Sequence, residues 1–364
     1  MNVIYSRQFA FVVFLYVLGS AFLNVPESVI GKDVYISTAL ASLIGLGILH
    51  ITIKLQGMYP QLNIIQIAEL VLGKIAGKIL NLFYIWTLFM LAILILFDIV
   101  LFLQLLYPRS PDILLSTIVL LSSIYVVSKG INIIGRLGDI AILPVFVLII
   151  LAFGVSISLF DLVNILPVLA NIKPILGGTI FAAYWPFTQI IALAILLPFI
   201  IDLDENKNLI YYGYIIASIT QIIRSFLVLG VLGENLIKIS HFPFYDIFLM
   251  LRFQDFQRIE LFFFLLFVTL VLSVLIISHF ALTLSLQSFF KLKNYRALVI
   301  PLALFILIFT CNIFPSDIKF FAAYATTVIF FTLPINILYP LIVYIAAQIK
   351  MAKKESLGGI RNEG

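Results

Sequence analysis

Apolar residues occur in long runs along this chain, and short polar or basic segments separate the runs. A transmembrane helix needs about 20 consecutive apolar residues. We therefore predict ten spans, at residues 8–30, 34–54, 79–104, 112–128, 138–159, 177–201, 209–231, 258–280, 297–313 and 320–347. This pattern predicts an all-α integral membrane protein, with a single membrane domain over residues 1–350 and a short cytoplasmic tail over residues 351–364.

The composition agrees with this class. Of the 364 residues, 63% are hydrophobic and 11% are charged, whereas a soluble domain is usually about 25% charged. The mean hydropathy is +1.21. The first run continues past small residues at 19–21 to Val25 without a clear small-x-small site, so we expect a retained span and not a cleaved signal.

Basic residues predict the orientation. If both termini of the chain lie in the cytoplasm, 14 of the 22 basic residues are on the cytoplasmic side, which agrees with the positive-inside rule. These are Arg7, Lys54, Lys74, Lys78, Lys129, Arg136, Lys207, Lys291, Lys293, Arg296, Lys350, Lys353, Lys354 and Arg361. The net charge of +5 thus reflects topology and contact with the lipid bilayer, and we expect no nucleic-acid partner.

The first and sixth spans contain helix-breaking residues near their middle. Span 1 includes Gly19, Ser20, Asn24 and Pro26, and span 6 includes Gly177, Gly178 and the step Tyr184-Trp185-Pro186. Five spans precede the loop at residues 161–174 and five follow it. Interrupted segments at matching places in two halves indicate a five-plus-five inverted repeat, with spans 1 and 6 discontinuous and a binding site near the midplane.

Broken helices predict a ligand because backbone groups inside a membrane must be paired. Pro186 frees the carbonyl of Ala182, and such carbonyls suit an ammonium group or a cation. A bend near residues 19–21 would leave the N–H groups of Ser20, Ala21 and Phe22 at the positive end of a half-helix, which suits a carboxylate. An amino acid would satisfy both ends. The alternative is a simple kink whose backbone is re-paired by Ser, Thr or water.

Several side chains are candidates for the same site. Asp98 lies inside span 3, where a charge is costly, so it is paired, protonated or beside an aqueous path. Gln189 follows the Pro186 break by one turn, and it either reaches the cavity or bonds a neighbouring helix. Tyr184 and Trp185 either form pocket walls or only pack. Arg224 and His279 are interpreted as structural partners or snorkelling groups.

Other chemistry is not indicated. The chain has one cysteine, Cys311, which excludes an internal disulfide and a cysteine-based metal site. It has no phosphate-binding glycine loop and no nucleophile elbow. We expect no enzyme activity, no cofactor and no metal.

Two segments outside the spans are predicted to be amphipathic and to lie along the membrane surface. The first covers residues 62–72 and ends at Gly73 as a helix cap. The second covers residues 281–293, after span 8, and would rest on anionic headgroups. Residues 234–260 form the most polar outward-facing segment and are the best candidate for contact with another protein.

Five segments together resemble the B subunits of GerA-type spore germinant receptors. They are Ile4-Tyr5-Ser6-Arg7-Gln8, LGSAFLNVP (residues 18–26), KGINIIGRLGDI (129–140), YWPFTQIIALAILLPFI (184–200) and FQRIE (256–260). The resemblance covers essentially the whole chain. It implies the amino-acid/polyamine/organocation superfamily and the leucine-transporter-like fold.

The resemblance also implies a function and partners. A member of this family would sit in the inner membrane of a spore, bind a nutrient germinant, often an amino acid, and signal to an A-type membrane subunit and a C-type lipoprotein. The implied ligand region comprises Gly19, Ser20, Ala21 and Phe22 in span 1, and residues 183–189 in span 6, including Ala183, Tyr184, Trp185 and Gln189. Arg136, Asp139, Arg258 and Glu260 match motif positions with structural or subunit-contact roles.

Two positions depart from the family pattern: Gln189, where many members carry Glu, and Ala21, where Gly would be expected. The alternative function is a secondary transporter that couples amino-acid movement to a proton or sodium ion. Span 5 contains no Lys, so a basic group that some proton-coupled relatives place there is missing. This absence favours a sensor over a transporter.

Overall fold

The computed structural model describes residues 3–23, 30–169, 172–250, 260–313 and 328–359. The described chain is helical in every long element. The helices are α1 (Ser6–Leu23), α2 (Val34–Met58), α3 (Ile64–Leu72), α4 (Lys74–Leu106), α5 (Asp112–Lys129), α6 (Ile131–Ser158), α7 (Ile172–Tyr184), a 3-10 helix (Phe187–Phe199), α8 (Leu203–Ile237), α9 (Pro243–Met250), α10 (Glu260–Phe290), α11 (Arg296–Ile313) and α12 (Ile329–Gly359).

These elements match the ten predicted spans. Within the described residues, eight helical stretches are long and apolar enough to cross a membrane, and α1 and α11 are shorter apolar helices. Span 6 corresponds to α7 followed by the 3-10 helix. The prediction of an all-α membrane protein is confirmed, and α12 continues as a helix to Gly359, beyond the predicted start of the tail.

Spans 1 and 6 lie in the centre of the bundle. Helix α1 packs against α6, α8 and α10, and the 3-10 helix packs against α2, α10 and α12. In the span formed by α7 and the 3-10 helix, 94% of the most apolar window is buried by protein, against 22% in α6. The interrupted span is therefore enclosed by other helices, whereas α6 presents most of its surface to lipid.

The first amphipathic segment forms helix α3, as predicted. The side chain of Asn63 accepts a hydrogen bond from Gln66 N–H, and the side chain of Gln66 accepts one from Asn63 N–H, which together form a capping box. Gly73 adopts a φ of 85°, a conformation that favours glycine, and ends the helix. Its face of Ile64, Ile65 and Ile67 is buried.

The second amphipathic segment is not a separate helix, so that prediction is wrong. Helix α10 runs without a break from Glu260 to Phe290. Its apolar face continues past the predicted end of span 8, since Ala281, Leu282 and Leu284 are all buried. Because this face packs on the protein core, the segment extends the span and does not lie flat on headgroups.

The N-terminal residues are tied to the end of span 6. Ile4 N–H donates to Phe199 O at 3.0 Å, and Ile201 N–H donates to Ile4 O at 3.1 Å. Ser6 N–H donates to the Asp202 carboxylate at 2.6 Å. These contacts, which we term the N-terminal tether, fix the first turn of α1 against the segment that joins the 3-10 helix to α8.

The family-motif residues of span 5 strengthen the same end of α1. Asp139 accepts a hydrogen bond from Gln8 Nε2 at 2.7 Å and lies 3.6 Å from the Arg7 guanidinium. In the polar segment 234–260, Pro243–Met250 forms α9, whose Phe244 and Phe248 are buried. Residues 251–259 of that segment lie outside the described residues.

Candidate functional site

The interruption of span 6 lies where the sequence predicts it. Helix α7 ends at Tyr184, and after Trp185 and Pro186 the chain continues as a 3-10 helix from Phe187. Proline has no N–H to continue the α-helical pattern. A 3-10 helix of 13 residues is unusually long, since such helices rarely exceed three or four residues and a long one often marks a functional hinge.

Side chains of neighbouring helices and of the span itself pair several carbonyls of this span. The Tyr16 hydroxyl donates to Gln189 O at 3.3 Å, and the Tyr84 hydroxyl donates to Ile191 O at 3.1 Å. Thr188 Oγ1 donates to Tyr184 O at 3.3 Å. The protein itself thus satisfies part of the irregular backbone, as the simple-kink alternative expects, and these carbonyls are not open to a ligand in this conformation.

Span 1 differs from its prediction. Helix α1 is regular through Gly19, Ser20, Ala21 and Phe22 and ends at Leu23, so the expected bend at 19–21 is wrong. The N–H groups of these residues lie within a helix and are not free donors. Asn24 and Pro26, the other two residues singled out in the predicted span, lie outside the described residues.

The structure gives Gly19 a packing role instead. A Cβ atom at this position would overlap the backbone carbonyl of Leu270 and would lie 2.7 Å from Val274 Cγ2. Helix α1 can approach α10 this closely only because position 19 has no side chain. A sequence cannot distinguish this use of glycine from a helix break, since both need the same residue.

The two central spans still meet at the predicted residues. Trp185 Nε1 donates a hydrogen bond to the carbonyl of Ser20 in the last turn of α1. The Ser20 hydroxyl is buried and has no partner among the described residues. Ala183 and Trp185 are also buried. The hydrogen bond between span 1 and span 6 therefore uses a backbone carbonyl of α1 as its acceptor. Free N–H groups of α1, which the sequence predicted, take no part in it.

A small polar cavity lies beside the interruption. It has a volume of about 10 Å³, with Tyr184, Gln189 and Asn336 among its lining residues. Thr87 of α4 and Thr332 of α12 also line it. The side-chain oxygen of Gln189 is buried with no partner in the described part of the chain. A cavity of this volume holds about one water molecule, so an amino acid would fit only after the surrounding helices separate.

Asp98 is a second unpaired polar group near the same place. It is 4% exposed, and it lies close enough to Tyr184 to act on that side chain electrostatically. It follows Leu91, a cavity-lining residue of α4, by seven positions, which puts both on one helix face. Within the described residues, no hydrogen bond or ion pair reaches its carboxylate.

Phe22 belongs to a different cluster. Its ring centroid is 5.4 Å from that of Phe244, and the Arg224 guanidinium lies 5.7 Å from the Phe22 ring. Arg224 is 2% exposed and donates through Nε to Gln221 Oε1 at 2.8 Å. Full burial excludes snorkelling for this arginine, so of its two predicted roles that of a structural partner fits.

His279 has the structural role that the sequence analysis gives as one option. Its Nε2 lies 3.1 Å from Val299 O, and its Nδ1 lies 3.0 Å from Ser123 Oγ. Since a carbonyl only accepts, Nε2 carries the proton and Nδ1 accepts from the serine hydroxyl. The His279 ring therefore joins α10 to α5 and α11.

Sequence analysis missed several polar residues of the site. Asn336 donates through Nδ2 to Thr188 Oγ1 at 3.4 Å, and the cavity also includes Thr87 and Thr332. Asn336 stands in an apolar span directly after the Pro334-Ile335 step, and a polar residue inside a span is a functional signal by default. That signal was available. The two threonines give none, because threonine is common in membrane helices.

Comparison with known proteins is consistent with this architecture. The sequence profile of a family described as "Spore germination protein" matches residues 3–318. Spore germination protein KB of Bacillus subtilis (strain 168) is 26% identical over 363 residues, covering 97% of this chain and 96% of the relative. Spore germination protein YndE of the same organism is 24% identical over 301 residues, covering 79% and 81%.

A solved structure has the same fold. It is that of Mhp1, a nucleobase-cation-symport-1 family transporter in a closed conformation with bromovinylhydantoin bound; the TM-score is 0.64 at 13% identity, covering 97% of this chain and 94% of that one. The predicted leucine-transporter-like fold is thereby confirmed. Family and fold are both of the permease or transporter type.

Proposed function

This chain belongs to the family of spore germination proteins, and from that premise we propose that it senses a nutrient germinant and signals to partner subunits. The ligand is a small zwitterion, an amino acid in the first instance. It binds where the interrupted span 6 meets α4 and α12. The protein acts in the inner membrane of the spore, with both termini in the cytoplasm, beside an A-type membrane subunit and a C-type lipoprotein.

One observation carries the proposal. The side-chain oxygen of Gln189, which is buried with no partner in the described residues, lines the cavity at the interruption of span 6 in a transporter-type fold, and the buried carboxyl group of Asp98 is close enough to act electrostatically on Tyr184. An unpaired carboxylate suits the ammonium group of an amino acid. An unpaired amide oxygen suits a further ammonium hydrogen. These two side chains, and not the carbonyls of Gln189 and Ile191, are the acceptors of the ligand, because tyrosine hydroxyls already donate to those carbonyls.

Signalling follows from the size of the cavity. A volume of about 10 Å³ is too small for an amino acid, so the binding-competent state is a more open one. A ligand that binds only the open state shifts the population toward it. The partner subunits would respond to that shift because they contact surfaces of this chain that move when it opens.

A gene deletion tests this function. Spores that lack the chain should lose one nutrient response, while vegetative cells should take up amino acids at the rate of the parent strain. Loss of uptake with an unchanged spore response would contradict the proposal.

The second candidate is a secondary transporter coupled to H⁺ or Na⁺. A buried carboxylate without a partner in the described residues favours it, because Asp98 can exchange a proton or pair with a cation. Purified protein in liposomes separates the two functions. A sensor should be stabilised by its ligand without accumulating it inside the vesicles, whereas a transporter should accumulate labelled ligand when a proton or sodium gradient is applied.

A further inference from the structure

A second and much larger cavity opens far from the interruption of span 6. Helix α3, the first turn of α4 and the end of α10 enclose a groove of about 710 Å³. We call it the α3 groove. Its polar lining consists of Gln66, Glu69, Lys74, Gln287, Ser288 and Lys291.

Hydrogen bonds fix the walls of the α3 groove. Asn63 Nδ2 donates to Ser288 Oγ at 2.6 Å, which joins α3 to α10. Asn81 Nδ2 donates to Ile65 O at 2.9 Å, which joins α3 to α4. Gly77 lets α4 approach this closely, since a Cβ there would lie 2.8 Å from Ala68 O. The groove is thus a formed feature and not a gap between loosely placed helices.

Its charges favour an anion that also carries a hydrogen-bond donor. Lys74 and Lys291 line the groove, and Lys78 lies beside it, over the Phe289 ring at 5.5 Å. The one acidic lining residue, Glu69, has Oε2 at 4.0 Å from Lys291 Nζ. Its Oε1 is buried with no partner in the described residues. Two lysines and one carboxylate therefore line the groove, a third lysine lies beside it, and the carboxylate has an acceptor atom with no partner in the described residues.

An apolar stripe leads away from the groove along α4. It begins at the residue after Lys74 and consists of Ile75, Ile79, Leu82 and Trp86, which are 79%, 56%, 58% and 48% exposed. Their spacing puts all four on one face of the helix. Exposed apolar side chains on a membrane helix contact acyl chains. A lipid whose chain follows this stripe has its headgroup at the mouth of the groove.

We propose that the α3 groove binds the headgroup of phosphatidylglycerol. The phosphate lies between Lys74 and Lys291, because basic pockets between membrane helices bind anionic lipid headgroups. A glycerol hydroxyl donates to Glu69 Oε1, because a buried acceptor without a partner is unfavourable. One acyl chain lies along Ile75 and Ile79. The lipid would join α3 to α4 and α10, and the site is independent of the germinant site.

The test is thermal unfolding of the full-length purified chain in detergent, titrated with phosphatidylglycerol, phosphatidic acid or phosphatidylcholine. We expect phosphatidylglycerol to raise the midpoint most. The double variant K74Q/K291Q should weaken its apparent affinity about 25-fold, or about five-fold per lysine. The control K54Q/K207Q removes two exposed lysines outside the groove and should bind as the wild type does. K74R/K291R should keep most of the affinity.

Glu69 tests the hydroxyl contact separately. Phosphatidic acid has the phosphate but no glycerol headgroup, so the wild type should prefer phosphatidylglycerol and Glu69→Ala should lose that preference. A photoactivatable phosphatidylglycerol should label residues 66–74 and 287–292 of the unsubstituted protein, which needs no variant to fold. The proposal is overturned by equal stabilisation from all three lipids, by equal losses in K74Q/K291Q and K54Q/K207Q, or by labelling elsewhere.

Discussion

Asp98 combines burial with the lack of a partner in the described part of the chain. A charged carboxylate in such a place raises the free energy of the folded protein, and the same group gives a ligand ammonium a strong partner. Stability and binding therefore make opposite demands on this residue, as they often do at functional sites.

Asp98→Asn should separate these demands. Asn cannot ionise, so the substitution removes the cost of an ionisable group without a partner, and we expect the melting temperature of the ligand-free protein to stay equal or rise. Loss of a charge-assisted hydrogen bond should weaken the germinant response about 10- to 100-fold. Thermal unfolding and a spore dose-response measure the two effects. A fall in melting temperature, or an unchanged dose-response, would show that Asp98 has a structural partner.

Gly19 is explained by contact between helices. Because a Cβ atom would overlap Leu270 O, Gly19→Ala should destabilise the protein by about 1–3 kcal/mol, which is typical of overpacking. Gly47→Ala is the matched control, since nothing lies within 4 Å of a Cβ at Gly47. Equal unfolding free energies for the two variants would refute the close packing of α1 on α10.

At the scale of the element, span 6 depends on its neighbours for backbone pairing. Tyr16 and Tyr84 donate to two carbonyls of the 3-10 helix. Each Tyr→Phe substitution leaves a buried acceptor unpaired and should cost about 1–3 kcal/mol in unfolding free energy. Tyr212, which is 58% exposed, provides the control Tyr212→Phe, for which we expect no change. No loss in either buried variant would mean that water or another donor pairs these carbonyls.

The N-terminal tether has a defined pH dependence. Desolvation raises the pKa of Asp202, but hydrogen bonds from Ser6 and Asn206 outweigh it, so the pKa lies below its ordinary value. A depressed folded-state pKa means that the stabilisation is complete above the unfolded pKa of about 3.9 and is lost as pH falls through the folded-state value.

Asp202→Asn removes the carboxylate charge at neutral pH, as protonation in strong acid does in the wild type. We therefore expect the substitution to weaken the tether. We expect faster amide hydrogen exchange at Ile4 and Ser6, measured by mass spectrometry of the N-terminal peptide. Asp204→Asn changes a nearby exposed carboxylate that makes no bond to Ser6 and should leave that exchange unchanged. Equal exchange rates in Asp202→Asn and the wild type would contradict the assigned contact.

The hydrophobic pattern of the sequence was sufficient to predict most helices. It failed where the same residue pattern is compatible with two different structures. The run lengths predicted the ten spans, and Pro186 predicted the interruption of span 6, because proline cannot donate the missing hydrogen bond. Gly19 and Ser20 suggested a bend at residues 19–21 that the described helix α1 does not have, since small residues also allow close helix packing. The end of α10 was misjudged because amphipathic spacing is the same for a helix on a membrane surface and one on a protein core.

The site was only partly predictable for a related reason. Tyr184, Trp185, Gln189 and Asp98 lie in or next to the predicted region, since each is a polar or aromatic residue near an interruption or inside a span. The pairing of Gln189 O by Tyr16 depends on contacts 173 positions apart, which no local pattern contains.

At the scale of the whole molecule, the structure is a closed form of a transporter-type fold. The central spans touch through Trp185 and Ser20, the tether holds one end of α1, and the cavity between span 6, α4 and α12 has a volume of about 10 Å³. Under the proposed function, a germinant can bind only if the bundle opens, and this linkage would allow the protein to signal to partner subunits.

The most direct test of this account is a thermal-unfolding screen of the purified wild-type chain and Gln189→Leu against the twenty common L-amino acids. The control Gln348→Leu makes the same change at an exposed residue of α12 far along the helix from the cavity. We predict that at least one amino acid raises the melting temperature of the wild type and of Gln348→Leu but not that of Gln189→Leu. An equal rise in all three proteins would contradict binding at the interruption of span 6, and no rise with any amino acid would contradict an amino-acid ligand.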